Sequence, residues 1–209
     1  VNRTYTKPHI DVFPDLCKIY PKKKAIGSAT VQHFTVTRDG ALKWLMSFRE
    51  RVWEGDYVQL VLKGEGTVMS DTHMERWSCI KFPDAASGRV LTFGLGLGMT
   101  LFPILKKKEV SAVTVVEKNP DVIKLIEPFV RHPKLNIVEG DALTWKPPSG
   151  EKYEAMWFDI WGDRKTDNLV QMTELHRRYR KHLVPHGWMD SWYRDELRRM
   201  RRQERKGGW

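Results

Sequence analysis

Four points along the middle of the chain pair an apolar run with residues that can hold a ligand. "RVLTF" leads into Gly94-Leu95-Gly96-Leu97-Gly98, "AVTVV" into Glu117, "LNIVEG" into Asp141-Ala142, and "YEAMWF" into Asp159. Glycine lets the main chain turn tightly and lets another group lie against it, whether a phosphate, a nucleoside or a neighbouring helix. A glutamate at the end of the following run can accept two hydrogen bonds from ribose hydroxyls. Asp141 can accept from an adenine amino group while Ala142 offers a backbone N–H to a ring nitrogen. Asp159, at the last of the four ends, is a candidate for orienting a reacting group or taking its proton. Singly, each aspartate reads equally as a loop cap. A dinucleotide fingerprint asks for a further glycine where Met99 stands, which argues against a cradled pyrophosphate.

Such residues need a scaffold that brings strand ends together. From Arg89 onward, strand-like and helix-like segments alternate: "RVLTFG", "MTLFPILKKK", "AVTVVE", "NPDVIKLIEPFV", "LNIVEG", "YEAMWFDIW", "DNLVQMTELHRRYRKHL" and "GWMDSW". That alternation predicts a parallel sheet with helices on its faces. The second helix carries the plainest signals, with Asn119 as cap, Pro120 at its first position, Asp121 at its positive end and Pro133 beyond its close. Its apolar stripe is Val122, Ile123, Ile126, Phe129 and Val130. Upstream, the first forty residues read as irregular. A helix capped by Asp39 is expected over 39–53, and "YVQLVLKGEGTVMSDT" reads as a hairpin turning at Gly64–Gly66. The expected organisation is an N-terminal α+β segment over 1–83, a ligand-binding domain over 84–193, and a basic helical tail over 194–209.

The chain of 209 residues is long enough for one domain and a small appendage. No apolar run is long enough to cross a bilayer, and "VNRTYTKPHI" lacks the apolar core of a signal peptide, so a cytoplasmic protein without membrane contact is expected. Cys17 and Cys79 stand alone and read as buried thiols. The net charge of +10 is uneven, because residues 176–209 carry 11 basic and 4 acidic side chains. A face of that kind attracts a polyanion or simply keeps a helix solvated.

With these residues in place, the chain resembles the class I S-adenosylmethionine-dependent methyltransferases. "VLTFGLGLG", "VTVVEKNPDVIKLI", "LNIVEGDALTW" and "YEAMWFDIW" are similar to that superfamily's successive motifs over about residues 57–192. "GLGLG", the "PDVI" run, "GDAL" and the preceding "MSDTHMERW" look nearest to the spermidine synthase-like branch. The resemblance implies a Rossmann-like, doubly wound, mainly parallel sheet, shortened at its C-terminal end. It implies S-adenosylmethionine held by Gly94, Leu95, Gly96, Gly98, Glu117, Lys118, Asp141, Ala142 and Asp159, with Asp71 and Thr72 leaning over it. Asp159, Trp161 and Asp163 are the candidates for handling the acceptor.

The acceptor itself stays open. An acidic mouth (Asp71, Asp159, Asp163, Asp167) favours a small or cationic molecule. "DIWGD" departs from the acidic run with which aminopropyltransferases grip an amine, and from the Pro-Pro-aromatic run of amino-directed nucleic-acid methyltransferases. Asp159, Trp161 and the pair Asp190-Ser191 imitate magnesium-dependent O-methyltransferases, although no metal ligands are assigned. A nucleic-acid acceptor tracked by the basic tail, and a cofactor-binding protein without turnover, are the remaining alternatives.

Overall fold

The structure, a computed structural model, describes residues 10–40 and 52–207. Its contacts divide the chain into two compact units: residues 1–84 with 96–106 and 121–131, and residues 85–95 with 107–120 and 132–209.

The first unit is built on an antiparallel sheet of β1 (Lys23–Ile26), β2 (Ala29–Val36), β3 (Gly55–Leu62) and β4 (Gly66–Ser70), in that spatial order. The first two strands replace the irregular segment expected from the sequence. They are joined by Gly27–Ser28, with Ile26 paired to Ala29 and Gly27 at φ 54°. A two-residue loop with a left-handed glycine matches the twist of a hairpin. The lysine-rich β1 buries no side chain, and only β2 shows buried alternate positions at Ala29 and Val31. Half of the hairpin therefore lacks the apolar period by which strands are read.

Residues 38–40 are helical, and the Gly40 N–H donates to Thr37 Oγ1 at 3.2 Å. The cap is thus Thr37 rather than Asp39, since a cap hydroxyl accepts from the third helical N–H. The rest of the helix expected over 39–53 lies outside the described residues. Past β4 the chain enters α1 (His73–Cys79) and α2 (Lys81–Ala85), which the sequence does not announce.

α3 (Leu101–Lys106) and all but the first residue of α4 (Pro120–Val130) belong to this unit as well. Val122, Leu125, Ile126 and Val130 of α4 are buried, so Leu125 takes a place in the stripe expected for Ile123 and Phe129. Asp121 does more than complement the helix end. Its Oδ2 accepts from the Ser28 N–H at 2.7 Å and the Ser28 hydroxyl at 2.9 Å, tying α4 to the β1–β2 turn and holding its carboxyl below the usual range.

The second unit is a five-stranded sheet of β5 (Gly88–Phe93), β6 (Val110–Glu117), β7 (Leu135–Glu139), β8 (Tyr153–Phe158) and β9 (Leu183–Ser191). The spatial order is β7-β6-β5-β8-β9 and every pairing is parallel. The chain runs outward from β5 to β7, then returns to the other side of β5 and continues to β9. This is the doubly wound, Rossmann-like arrangement expected from the sequence, with the crevice that receives ligands beyond the carboxyl ends of β5 and its neighbours. Behind those ends, the rings of Phe93 and Phe158 stack at 4.7 Å and 5°, flanked by Tyr179 and Leu175 of α5 (Asn168–Tyr179). α6 (Arg194–Gly207) docks through Leu197, which is fully buried against Leu169 and Met172 of α5.

In the first unit, Asp71 is 1% exposed and its charge is met by Arg76, whose Nη2 donates to Oδ2 at 2.8 Å and whose Nε donates to the Asp71 carbonyl. Removing the guanidinium leaves a carboxylate buried without its countercharge, which costs about 3–5 kcal/mol. Arg76→Leu is accordingly expected to lower the urea midpoint sharply, and the double variant Arg76→Leu/Asp71→Leu to recover part of the loss.

Candidate functional site

At the carboxyl end of β5 the chain must pass β8 closely. Gly94 has φ 93°, and a Cβ built there would overlap the carbonyl oxygen of Asp159. The Asp159 N–H donates to the Phe93 carbonyl at 2.9 Å, and the Gly94 N–H to Val116 at 2.9 Å. The first glycine of "GLGLG" is therefore required by the close approach of the backbone at Asp159.

The other two glycines have similar causes inside the first unit. A Cβ on Gly96 (φ 50°) would overlap the sulfur of Met69, which also accepts from the Leu97 N–H at 3.2 Å. A Cβ on Gly98 (φ 62°) would press on Val130. On the side a Cβ would take, the close neighbours are a carbonyl, a thioether and the isopropyl group of Val130, the last on a neighbouring helix as the sequence allows. Met99, where a dinucleotide fingerprint would carry glycine, is fully buried.

Glu117 ends β6 half-buried, and both its oxygens are anchored. Oε2 accepts from the Leu95 N–H and Oε1 from the Asn119 N–H, each at 2.8 Å. A carboxylate has about four acceptor positions, so two backbone bonds fix its direction and leave capacity for a diol. Lys118, next along, is exposed. Beyond β7, Asp141 is exposed and its Oδ1 accepts from the Leu143 N–H at 2.8 Å, while Ala142 is buried. This loop is held from below by a residue the sequence reading missed. The Tyr179 hydroxyl lies 2.9 Å from the Ala142 carbonyl and 2.8 Å from that of Trp145. Burial raises the Tyr179 phenol to about 12, so it stays a neutral donor. Only its apolar-stripe position in α5 was visible in the sequence.

Beyond β8, Asp159 is half-buried. The Trp161 indole N–H donates to Gln171 Oε1 at 2.6 Å, and its ring packs against the apolar cluster around Phe158 and that around Met172. Asp163 is bound to Lys165 and to the Asn168 amide at the start of α5, which holds its carboxyl below the usual range. Asp190 Oδ1 accepts from its neighbour Ser191 at 2.9 Å and lies 3.6 Å from Arg194, and the Ser191 hydroxyl is 2.7 Å from His176 Nε2. Among the described residues no group of three His, Cys, Asp or Glu side chains is placed to hold a metal ion. Gly94, Leu95, Glu117, Lys118, Asp141, Ala142 and Asp159 thus stand at the carboxyl ends of neighbouring strands of one sheet. Gly96, Gly98, Asp71 and Thr72 are described with the first unit, where Thr72 precedes α1 and its hydroxyl is 3.2 Å from that of Ser70.

The sheet order is that of a doubly wound, Rossmann-like fold. No family model matches the sequence, and no curated protein matches it. Among solved structures, the chain is similar to coclaurine N-methyltransferase bound to N-methylheliamine and SAH, at 18% identity over 55% of this chain and 32% of that one, with a TM-score of 0.43. It is similar to precorrin 8W decarboxylase of Methanobacterium thermoautotrophicum at 16% identity over 63% and 70% of the two chains, TM-score 0.44. The CcbJ methyltransferase of Streptomyces caelestis matches at 22% identity over 54% and 45%, TM-score 0.40. The chain thus spans about a third of the length of the first and under half of the third.

Two outcomes test this geometry. Gly94→Ala must abandon a left-handed turn and displace a carbonyl, and is expected to destabilise by about 3 kcal/mol in urea unfolding. Gly64→Ala (φ 88°), where nothing stands within 4 Å, meets the backbone strain alone, about 1–2 kcal/mol.

His176 offers a pH test. Burial first, then the charges of Arg194, Arg198 and Arg180, push its imidazole down to about 3. Its folded value lies below the unfolded value near 6.5, so the unfolded chain binds the proton first. The stabilisation from neutral His176 is complete above about pH 6.5 and is lost progressively as pH falls toward 3. The melting temperature of His176→Gln should therefore fall less between pH 7 and 4.5 than that of the wild type.

Proposed function

We propose that this protein is an S-adenosylmethionine-dependent methyltransferase. The observation that carries the reading is Glu117, a carboxylate fixed by two backbone N–H groups at the end of the strand beside the glycine turn. That position suits a ribose, and the anchoring leaves it acceptor capacity for two hydroxyls. Asp141 keeps its second oxygen for an adenine amino group, with the Ala142 backbone alongside, its carbonyl held by Tyr179.

When bound, S-adenosylmethionine supplies an electrophilic methyl group on a sulfonium, and the protein's part is alignment. Glu117 and Asp141 fix the nucleoside end. Leu95 and Lys118 flank that end through their main chain. Asp159 orients an acceptor amine or hydroxyl, or takes its proton. Trp161 forms a wall, its indole N–H already engaged by Gln171. Asp163 acts one step removed, since Lys165 and Asn168 hold it at the mouth of α5. The acceptor class this favours is small and cationic, from the carboxylates gathered after β8. A magnesium-assisted reading finds less support, because Asp190 and Ser191 already serve Arg194, His176 and each other.

Isothermal titration should show S-adenosylmethionine binding and no response to NAD. Glu117→Gln removes a charged acceptor worth about 1.5–3 kcal/mol, roughly a 10- to 100-fold loss of affinity. Unchanged affinity in that variant would overturn the assignment of the ribose site. Tighter binding of decarboxylated S-adenosylmethionine would redirect the reading toward aminopropyl transfer.

A further inference from the structure

α5 and α6 enclose a groove of about 680 Å³ that the strand-end site does not use. Arg177 projects from α5, and Arg198, Arg201, Arg202 and Arg205 from α6. The α6 residues fall at intervals of three and four, so they share one face of the helix along its length. Leu169, Val170 and Thr173 form the floor, and Val170 is 54% exposed although it is apolar. Glu174 is the one carboxylate among the lining residues.

Most of these charges have no countercharge. Arg198 lies 3.9 Å from Asp195, whereas among the described residues no ion pair is formed by Arg177, Arg201, Arg202 or Arg205. Four unpaired guanidiniums around an apolar floor raise one another's electrostatic energy, and an anion relieves it. A single small anion would meet only part of the row. A ligand with charges repeated along its length, and an uncharged body to lie on the floor, meets all of it.

We propose that this groove binds single-stranded nucleic acid through its phosphates. The guanidinium forks pair with phosphate oxygens, and sugars and base edges lie over Val170 and the Thr173 methyl. No side chain of the groove is placed as a base-specific code, so recognition follows the backbone and is tolerant of sequence. The α6 wall carries four of the arginines and Arg177 faces them from α5 beside the apolar floor, which fits one strand lying along α6 between the helices rather than a duplex resting on top. This inference stands apart from the cofactor reading: the groove can hold a strand whether or not methyl transfer occurs, and the two are measured separately.

The test is fluorescence anisotropy of the full chain with a labelled 20-nucleotide oligouridylate. Each phosphate neutralised on a single strand contributes about −0.7 to the slope of log K against log salt, so four contacts predict roughly a 50-fold loss between 50 and 200 mM salt. Arg201→Gln/Arg202→Gln/Arg205→Gln should bring the slope close to −0.7 and weaken binding at least 10-fold at low salt. Lys22→Gln/Lys23→Gln/Lys63→Gln removes the same charge from the other unit and should change binding by less than twofold. Should the arginine triple fail to fold by circular dichroism, Arg205→Gln alone should flatten the slope by about 0.7. Equal losses in the lysine triple, equally tight binding of a 20-base-pair duplex, or equal competition by polyglutamate would each overturn the proposal. S-adenosylmethionine titration of the arginine triple should be unchanged, which keeps this failure distinct from failure of the cofactor site.

Discussion

The second unit is organised around a point where two backbones come too close for a side chain. The carbonyl of Asp159 occupies the space a Cβ on residue 94 would need, and the Asp159 N–H bonds to Phe93 one residue earlier. β5 and β8 are thereby pinned at their carboxyl ends, at the position where the strand order reverses. The stacked rings of Phe93 and Phe158 support the same pair of strands from behind. With β5 fixed on that side, Leu95 is carried to Glu117 on the other, and the bond between them closes the turn. Residues of three neighbouring strands are set by one steric contact and the hydrogen bonds around it.

The carboxylates share a second property. Glu117, Asp141, Asp121 and Asp163 each accept from main-chain or side-chain N–H groups near a turn or helix start. Of the two readings that compete in the sequence, the loop cap is observed at Glu117 and Asp141, and it leaves each carboxylate acceptor capacity for the proposed ligand. A carboxylate already oriented by the backbone loses little freedom when it meets a ligand, so the capping bonds pre-organise Glu117 and Asp141 for the role proposed for them. Asp163 and Asp190 differ, because cations stand directly on them.

Much of this was legible from residue 89 onward. The alternation of apolar runs with helical stripes gave the parallel sheet, and Asn119-Pro120-Asp121 placed α4 within a residue. The N-terminal hairpin was hidden because β1 is charged and buries no side chain, leaving β2 to carry the period alone. The glycines were found, and a neighbouring helix is indeed what Gly98 meets, but the carbonyl at Gly94 and the thioether at Gly96 were not foreseen. A sequence shows that a side chain is missing, and only the fold shows whether a ligand, the Asp159 carbonyl or the Met69 sulfur fills the space. Tyr179 was equally hidden, since its hydroxyl acts on Ala142, 37 positions earlier.

The parallel order also bears on how the chain assembles. β5, β6 and β7 are laid down consecutively, each able to pair with the strand before it. β8 must then be placed on the far side of β5, closing a long loop before any of its contacts form. Loop closure of this kind slows folding and leaves an open strand edge in the meantime. With only β5, β6 and β7 paired, β5 is an open edge, and Val90, Leu91, Thr92 and Phe93 are covered only when β8 pairs beside them. Gly94 meets the Asp159 carbonyl only when that edge is covered, so the tightest backbone contact of the unit and its protection from aggregation arrive in the same step.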